Sequence, residues 1–430
     1  MNDTTITEAG VRKLISNLKI HKAMGPDDIG PRVLRELVDV TAPILTSIFR
    51  KSYETGKLPS DWKQANVSPI FKKSDAANYR PISLTCISCK LMEHIITSQI
   101  MKHARDHDIL YTLQHGFRDK RSCETQLLEF ASDISSTMQR GKQVDVLIMD
   151  FSKAFDKVGH KRLVRKLEYY GVGGKTNRWI QNFLTDRKQR VVVDGESSDE
   201  LSVSSGVPQG SVLGPCLFLY YINDMPDNIS STVRLFADDT IMYLAIAKQA
   251  DTVNLQTDLD SLAEWEQNWQ MQFHPGKCQI LSITRNRKVI EHDYLLHGHK
   301  LERVKQATYL GVTLTHDFKW NQHIANNTAK ANRTLGFLRR NLQVNSTAIK
   351  TTAYKTLVRP IIEYAATVWD PYTKSDTSRL EMVQRRGARF VLNRYHNRSS
   401  FSDMLNILKW TPLEDRRQHQ RLAMPMNPCP

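Results

Sequence analysis

Apolar residues recur along this chain with two periods, and the elements change where the period changes. Over residues 8–20 and 31–52 the spacing is that of amphipathic helices, with Val33, Leu34, Leu37, Val38 and Leu45 on one face of the second. A turn-rich break, Lys22-Ala23-Met24-Gly25-Pro26-Asp27-Asp28, separates the two. Residues 67–71 read as a short strand running into Lys72-Lys73, a loop follows through Asn78-Tyr79-Arg80-Pro81, and 90–106 is helical again. Val144 to Met149 is apolar almost throughout, as expected of a strand buried on both faces, and it ends at Asp150. Leu163, Val164 and Leu167 then take helical spacing, which the Gly171–Gly174 stretch ends.

Residues 190–195 and 200–204 suggest a hairpin, and helix-like sequence runs from 211 to 223. Val233–Ala237 and Thr240–Leu244 are the arms of a second hairpin whose turn is Asp238-Asp239. Leu255, Leu259, Leu262, Trp265 and Trp269 fall three or four apart, a strong amphipathic helix whose aromatic stripe reads as core rather than ligand site. Strands return at 278–283, over 292–304 as a hairpin, and at 309–314. From 320 the pattern is helical over 320–342, 346–367, 376–394 and 399–409, and the tail 424–430 is expected to be disordered. The sequence therefore divides into a helical front, a mixed middle and a helical end.

Composition changes that picture in one respect. Hydrophobic residues at 40% and charged residues at 24% are ordinary for a globular protein, but 60 Lys and Arg stand against 45 Asp and Glu, a formal charge of +15. From Trp320 to Pro430 eighteen basic residues face seven acidic ones, so the helical end carries most of the excess. Such a balance favours a polyanionic partner, because each phosphate contact releases condensed counterions. The six cysteines are scattered, and Cys86 and Cys89, the one close pair, read as core residues without a second pair to complete a zinc site. A reducing compartment follows. There is no secretory signal at the N-terminus and no apolar run of membrane-spanning length.

The candidate chemistry centres on Phe236-Ala237-Asp238-Asp239. Two adjacent carboxylates on a hairpin turn need compensating charge, and Asp150 from another strand end would complete a cage for two hard divalent cations. Such a cage serves in-line phosphoryl transfer. A lone strand-end Asp reads equally as a turn or helix cap; three carboxylates together with the segments around them favour the metal site. Phe155 follows Asp150 by five and is either a ring beneath the sugar of an incoming nucleotide or a core aromatic, and Asp156 reads as a helix-start carboxylate. In Gly206-Val207-Pro208-Gln209-Gly210-Ser211-Val212-Leu213-Gly214-Pro215 the glycines admit a close ligand and Gln209 offers both donor and acceptor. Lys72, Lys73 and Arg80 could clamp a triphosphate or lie as surface charge on a loop. Lys277 could protonate a departing pyrophosphate or be an ordinary exposed lysine.

In order, Asn78-Tyr79-Arg80-Pro81-Ile82-Ser83-Leu84, Asp150 to Asp156, Ser205 to Pro215, Phe236 to Asp239, His274-Pro275-Gly276-Lys277 and Tyr309-Leu310-Gly311-Val312 resemble the successive motifs of a reverse transcriptase. The type is that of non-LTR, LINE-like retrotransposons, closest to the jockey-like elements. Gly25-Pro26-Asp27 is similar to the family's upstream motif and Gln114-His115-Gly116-Phe117-Arg118 to a fingers motif. Leu357 to Tyr364 and Trp369-Asp370-Pro371 look like its thumb region, so the resemblance covers about residues 20 to 415.

The resemblance implies an α+β right hand: an N-terminal extension and fingers over 1–143, a palm with an antiparallel sheet over 144–318 including finger insertions, and a basic helical thumb over 319–423. It implies RNA-directed DNA polymerase activity that extends a primer 3′-hydroxyl with two Mg²⁺ ions, or Mn²⁺ in their place. The partners are then an RNA template, a DNA primer or target, and dNTPs, with no membrane, in the nucleus or cytoplasm. By position, Asp150, Asp238 and the Phe151 carbonyl match the metal ligands, with Asp239 as the less direct carboxylate. Phe155 matches the steric gate and, with Phe151, Ala154 and Gln209, the nucleotide pocket. Arg80 matches the phosphate-contacting arginine, either Lys72 or Lys73 its lysine partner, and Lys277 the general acid. His274 stands where members often have Asn, and Asp28 where glycine is usual. About twenty residues precede the first motif, so a polymerase segment without the family's endonuclease domain is expected. The alternative is a catalytically silent RNA-binding remnant.

Overall fold

In the computed structural model, residue 1 and residues 3–71, 79–396 and 400–424 are described. They form two compact units. The first comprises Met1–Asp119, Met149–Thr240 and Thr257–Pro275; the second comprises Lys120–Ile148, Ile241–Gln256 and Gly276–Pro430.

The first unit is built around a small sheet and a central helix. Gln64–Phe71 lies between Tyr79–Leu84, its antiparallel partner, and Arg187–Val193, which runs parallel to it with Gln64 opposite Lys188. Arg187–Val193 also pairs antiparallel with Leu201–Val203, the hairpin its alternation predicts. The Leu213–Ile222 helix is apolar all round, and every residue except Pro215 is buried, as a helix inside a core must be. Ile87–Asp106 buries Leu91, Met92, Ile96 and Ile100, and His160–Tyr169 buries Leu163 and Leu167. Cys86 and Cys89 are buried free thiols, as expected from their surroundings. Sequence periodicity did not resolve the Gly174–Leu184 helix, which begins on the last of the glycines that end the one before it.

The reading of 31–52 as one helix with a single apolar face needs correction. The segment divides at Leu37 into Pro31–Glu36 and Val38–Thr55. Leu34 and Leu45 are buried, but Val33 and Leu37 are more than half exposed. Val40, Ile44 and Ile48 continue the exposed row beyond the break, so the apolar positions fall on two rows, of which the one through Leu34 and Leu45 is buried.

In the second unit Val144–Ile148 pairs antiparallel with Gln279–Ile283, and Glu302–Arg303 runs parallel to Gln279–Ile280. The 144–149 run is not uniformly apolar: Asp145 is fully buried and accepts hydrogen bonds from Ser282 Oγ (2.6 Å), Tyr294 Oη (2.8 Å) and Gln143 Nε2 (2.8 Å). A buried carboxylate with three donors is satisfied, so the strand tolerates it. The helices Cys123–Gln139, Asn321–Asn341, Lys374–Leu392, Phe401–Leu408 and Leu413–Ala423 surround a core that includes Phe130, Leu335, Tyr354, Trp369 and Leu380. The run expected to be helical over 346–367 is helical without a gap from Thr347 to Glu363, with a π-helical segment at Tyr354–Val358 between Thr347–Ala353 and Arg359–Glu363, and Ala366–Trp369 follows. Pro360, with no N–H to donate, falls at the junction. Arg417, 1% exposed, closes the packing by donating to Asp370 at 2.8 Å. Among the described residues no helix is long and apolar enough to cross a membrane. The expected disorder of the tail concerns residues that, from 425 on, lie outside the described ones.

Candidate active site

Asp150 is the last residue of the strand Gln143–Asp150, and Asp239 is the first of Asp239–Ile246, its neighbour in sheet order. The ends of both strands, with the Asp238 turn between Phe236 and Asp239, belong to the first unit. Asp150 and Asp238 are partly buried and Asp239 is exposed.

Two backbone clamps hold these ends. The Asp150 carbonyl accepts from His274 N at 2.8 Å, and Ser152 N donates to Gln272 O at 2.8 Å. These bonds flank the antiparallel bridge Phe151–Phe273, whose rings stack with centroids 4.1 Å apart. In an antiparallel pair that pattern turns the N–H and C=O of Phe151 away from the 272–274 segment, toward the opposite side.

The second clamp grips the hairpin turn. Ala237 takes φ +55°, an uncommon conformation for a side chain with a Cβ, and the peptide N–H it presents is received by Gln114 Oε1 at 3.0 Å. The same Oε1 accepts from Gly116 N at 2.8 Å. His115 N donates to Leu235 O and Leu235 N to Leu113 O, so residues 113–116 pair with the strand leading into the turn. A Cβ at Gly116 would lie 2.3 Å from Ala237 N, which excludes any other residue there. Gln114-His115-Gly116 is thus the socket for the aspartate turn. The resemblance marks this segment as a fingers motif but not its partner; its signal, an amide followed two residues later by glycine, is short and common.

The Gln209 loop forms a third part. The Gln209 carbonyl accepts from Ser83 N at 2.7 Å, and its side-chain amide donates to Asp156 Oδ1 at 3.1 Å. Gly210 has φ +107°, and a Cβ there would come within 2.8 Å of Ser83 O. Asp156 is therefore a partner of Gln209 rather than only a helix-start carboxylate. A cavity of about 300 Å³ opens beside them, lined among others by Pro81, Ser83, Asp156, Arg187, Ser205 and Gln209. Ala154 is buried, and Phe155 stacks on Phe218 at 4.4 Å with its edge toward Phe117 at 6.3 Å.

A buried acid fixes the loop from below. Glu93 is fully buried, and its Oε2 accepts from Val212 N (2.7 Å) and Leu213 N (2.9 Å), the free donors at the start of the Leu213–Ile222 helix. Burial pushes the Glu93 carboxyl up, opposed by those two N–H groups and by the Arg187 guanidinium. Sequence analysis passed over Glu93 because one acid on an amphipathic helix reads as its polar face.

Arg80 is exposed on the strand Tyr79–Leu84, in the same unit. Lys72 and Lys73 lie outside the described residues. Lys277 is exposed at the end of a short turn, Pro275–Lys277, and belongs to the second unit. Among the described residues no three His, Cys, Asp or Glu side chains are grouped so as to hold a metal ion. The fit to a hard cation therefore rests on donor type: carboxylate oxygens at two neighbouring strand ends, with the Phe151 carbonyl turned away from its clamp.

The family model described as "Reverse transcriptase (RNA-dependent DNA polymerase)" matches residues 70–314. The chain is 28% identical over 405 residues to the RNA-directed DNA polymerase from mobile element jockey of Drosophila melanogaster, covering 90% of this chain and 44% of that protein. To the probable RNA-directed DNA polymerase from transposon BS of the same organism it is 28% identical over 400 residues, covering 88% and 43%. The chain thus spans less than half the length of these relatives. It also resembles apo telomerase from Candida tropicalis, with a TM-score of 0.43 and 10% identity over 67% of this chain and 59% of that one, a likeness too distant to bear on mechanism.

Proposed function

Because the chain belongs to the reverse transcriptase family, we propose that it is the RNA-directed DNA polymerase of a jockey-like non-LTR retrotransposon, extending a primer 3′-hydroxyl on an RNA template. The observation that carries this reading is the pinned pair of strand ends, with Asp150 on one and the Gln114-clamped Asp238 turn on its neighbour. Residues 1–143 are assigned to an N-terminal extension and fingers, 144–318 to the palm and 319–423 to a basic thumb.

Asp150 and Asp238, with the Phe151 carbonyl, would hold two Mg²⁺ ions, or Mn²⁺ in their place, and Asp239 would stand behind them. When bound there the ions would activate the primer 3′-hydroxyl and neutralise the departing pyrophosphate. The protein's own share is positioning. The clamps on Asp150 and Ala237 fix where the carboxylates stand, so attack occurs in line without reorganising the site. Phe155, held by Phe218, would lie beneath the sugar and exclude a 2′-hydroxyl. Gln209 would border the nucleotide pocket, its amide orientation set by Asp156. Arg80, with Lys72 or Lys73, would grip the triphosphate, and Lys277 would give its proton to pyrophosphate. The excess of basic residues after Trp320 would hold the template–primer through its phosphates. These partners place the protein in the nucleus or cytoplasm.

The test is extension of a DNA primer on an RNA template by the purified chain with Mg²⁺ and dNTPs. Phe155→Val should admit ribonucleotides that the parent rejects; equal discrimination by both would remove Phe155 from the gate.

A further inference from the structure

Within the second unit, the helices Asn321–Asn341 and Lys374–Leu392 enclose a cavity of about 330 Å³ unrelated to the aspartate site. Arg339, Arg386 and Arg389 line it with Asn332, Phe390 and Tyr395, and no acidic residue does. The Arg339 guanidinium carbon lies 5.4 Å from the centre of the Tyr395 ring, and Tyr395 keeps 47% of its surface exposed. Two wall residues carry a buried polar atom with no hydrogen-bond partner among the described residues: the Nε of Arg389 and the Oδ1 of Asn332. Both atoms have almost no accessible surface and so lie behind the wall, and the cavity's chemistry rests on the three arginines and the tyrosine that line it.

The position of Arg386 and Arg389 near a helix C-terminus complements the helix dipole. That accounts for neither Arg339, on the other helix, nor Tyr395 beyond the helix end. Three guanidinium groups suit a phosphate. An exposed aromatic face suits a nucleobase. A duplex offers its phosphates but keeps its bases stacked inside. The volume lies at the lower end for small-ligand sites, about that needed for one nucleotide.

We propose that this Arg339–Arg386–Arg389–Tyr395 cavity binds one unpaired nucleotide of a single-stranded nucleic acid, the base against Tyr395 and the phosphate among the arginines. The inference deepens the polymerase reading by giving the basic C-terminal region a single-strand site of its own. Because it is measured as binding without nucleotides and in EDTA, it can fail while primer extension succeeds, and the reverse.

The experiment measures fluorescence anisotropy of the full chain with labelled 12-mer oligo(U), 12-mer oligo(dT) and a blunt 12-base-pair duplex. The parent is compared with Arg339→Gln/Arg389→Gln, Tyr395→Ala and Tyr395→Phe, each checked for unchanged circular dichroism. The double variant and Tyr395→Ala should each weaken single-strand binding about tenfold, with Tyr395→Phe close to the parent. In the double variant the slope of log affinity against log salt should fall by about 1.4, roughly 0.7 for each arginine removed from a single-strand contact. Duplex binding should change less than about twofold. Loss confined to oligo(U) would identify RNA as the ligand read through its 2′-hydroxyl; equal loss on oligo(dT) would identify a strand read by base and phosphate alone. Unchanged single-strand affinity, or an equal loss on the duplex, would overturn the proposal.

Discussion

Replacing Gln114 by Leu isolates the contribution of the socket beneath the aspartate turn. Leucine fills much of the same space but removes the Oε1 that accepts from Gly116 N and Ala237 N, at 2.8 and 3.0 Å. Both N–H groups belong to buried residues, and each orphaned buried donor costs about 1–3 kcal/mol, so the gross loss is about 2–6 kcal/mol. Part returns, because Gln114 Nε2 is itself buried with no partner among the described residues; removing it relieves about 1–2 kcal/mol. The net destabilisation is then roughly 1–4 kcal/mol, concentrated where Ala237 holds its left-handed conformation next to Asp238. A turn allowed to relax misplaces the carboxylate, and a displacement near 1 Å is worth about a hundredfold in rate. Steady-state primer extension should therefore show kcat lower by about ten- to a hundredfold, with the dNTP KM within about threefold. Circular dichroism must show a folded chain at the assay temperature. A folded Gln114→Leu protein with parental kcat would refute the claim that this amide aims the aspartate turn.

Other outcomes follow from the same structure. Glu93→Leu removes the one oxygen that accepts both helix-start N–H groups, so stability should fall by about 1–3 kcal/mol for each orphaned donor and the dNTP KM should rise as the Gln209 loop loosens; unchanged KM in a folded variant would separate Glu93 from the nucleotide pocket. His323 is buried, accepts Thr313 N on Nδ1 at 3.1 Å, and is pushed down to about 4 by burial. Its folded value lies below the ordinary one, so its contribution, about 3 kcal/mol, is present above pH 6.5 and lost as pH falls toward 4; urea titrations of parent and His323→Leu across that range should converge at low pH. Gly387→Ala would set a Cβ 2.4 Å from the Tyr354 ring and should destabilise the helical region by about 1–3 kcal/mol, seen as a lower thermal midpoint; no shift would mean that the helices part freely there.

Much of the architecture is legible in residue order because the signals are local. The buried strand ending at Asp150, the hairpin around Asp238, and the Leu255–Trp269 stripe all follow from period alone, and the stripe is core as far as Trp265, with Trp269 partly buried. Where reading fails, the deciding partner is distant in sequence. Asp145, the one charged residue in the 144–149 run, is satisfied by Ser282 and Tyr294, far away in sequence. Gln114 is about 120 residues from the turn it supports, and Glu93 a similar distance from the helix it caps. The break at Leu37 has no local signal, since neither glycine nor proline stands there. The site's cast of carboxylates is thus written locally, whereas the contacts that aim it are not.

The most direct test of the polymerase reading is primer extension by the purified chain on an RNA template with Mg²⁺, the parent compared with Asp238→Ala and Asp150→Asn. The parent should add dNTPs to the primer, and each variant should lose activity by at least about a thousandfold while still binding template–primer. A parent that binds template–primer without extending it, or an Asp238→Ala protein as active as the parent, would contradict the account.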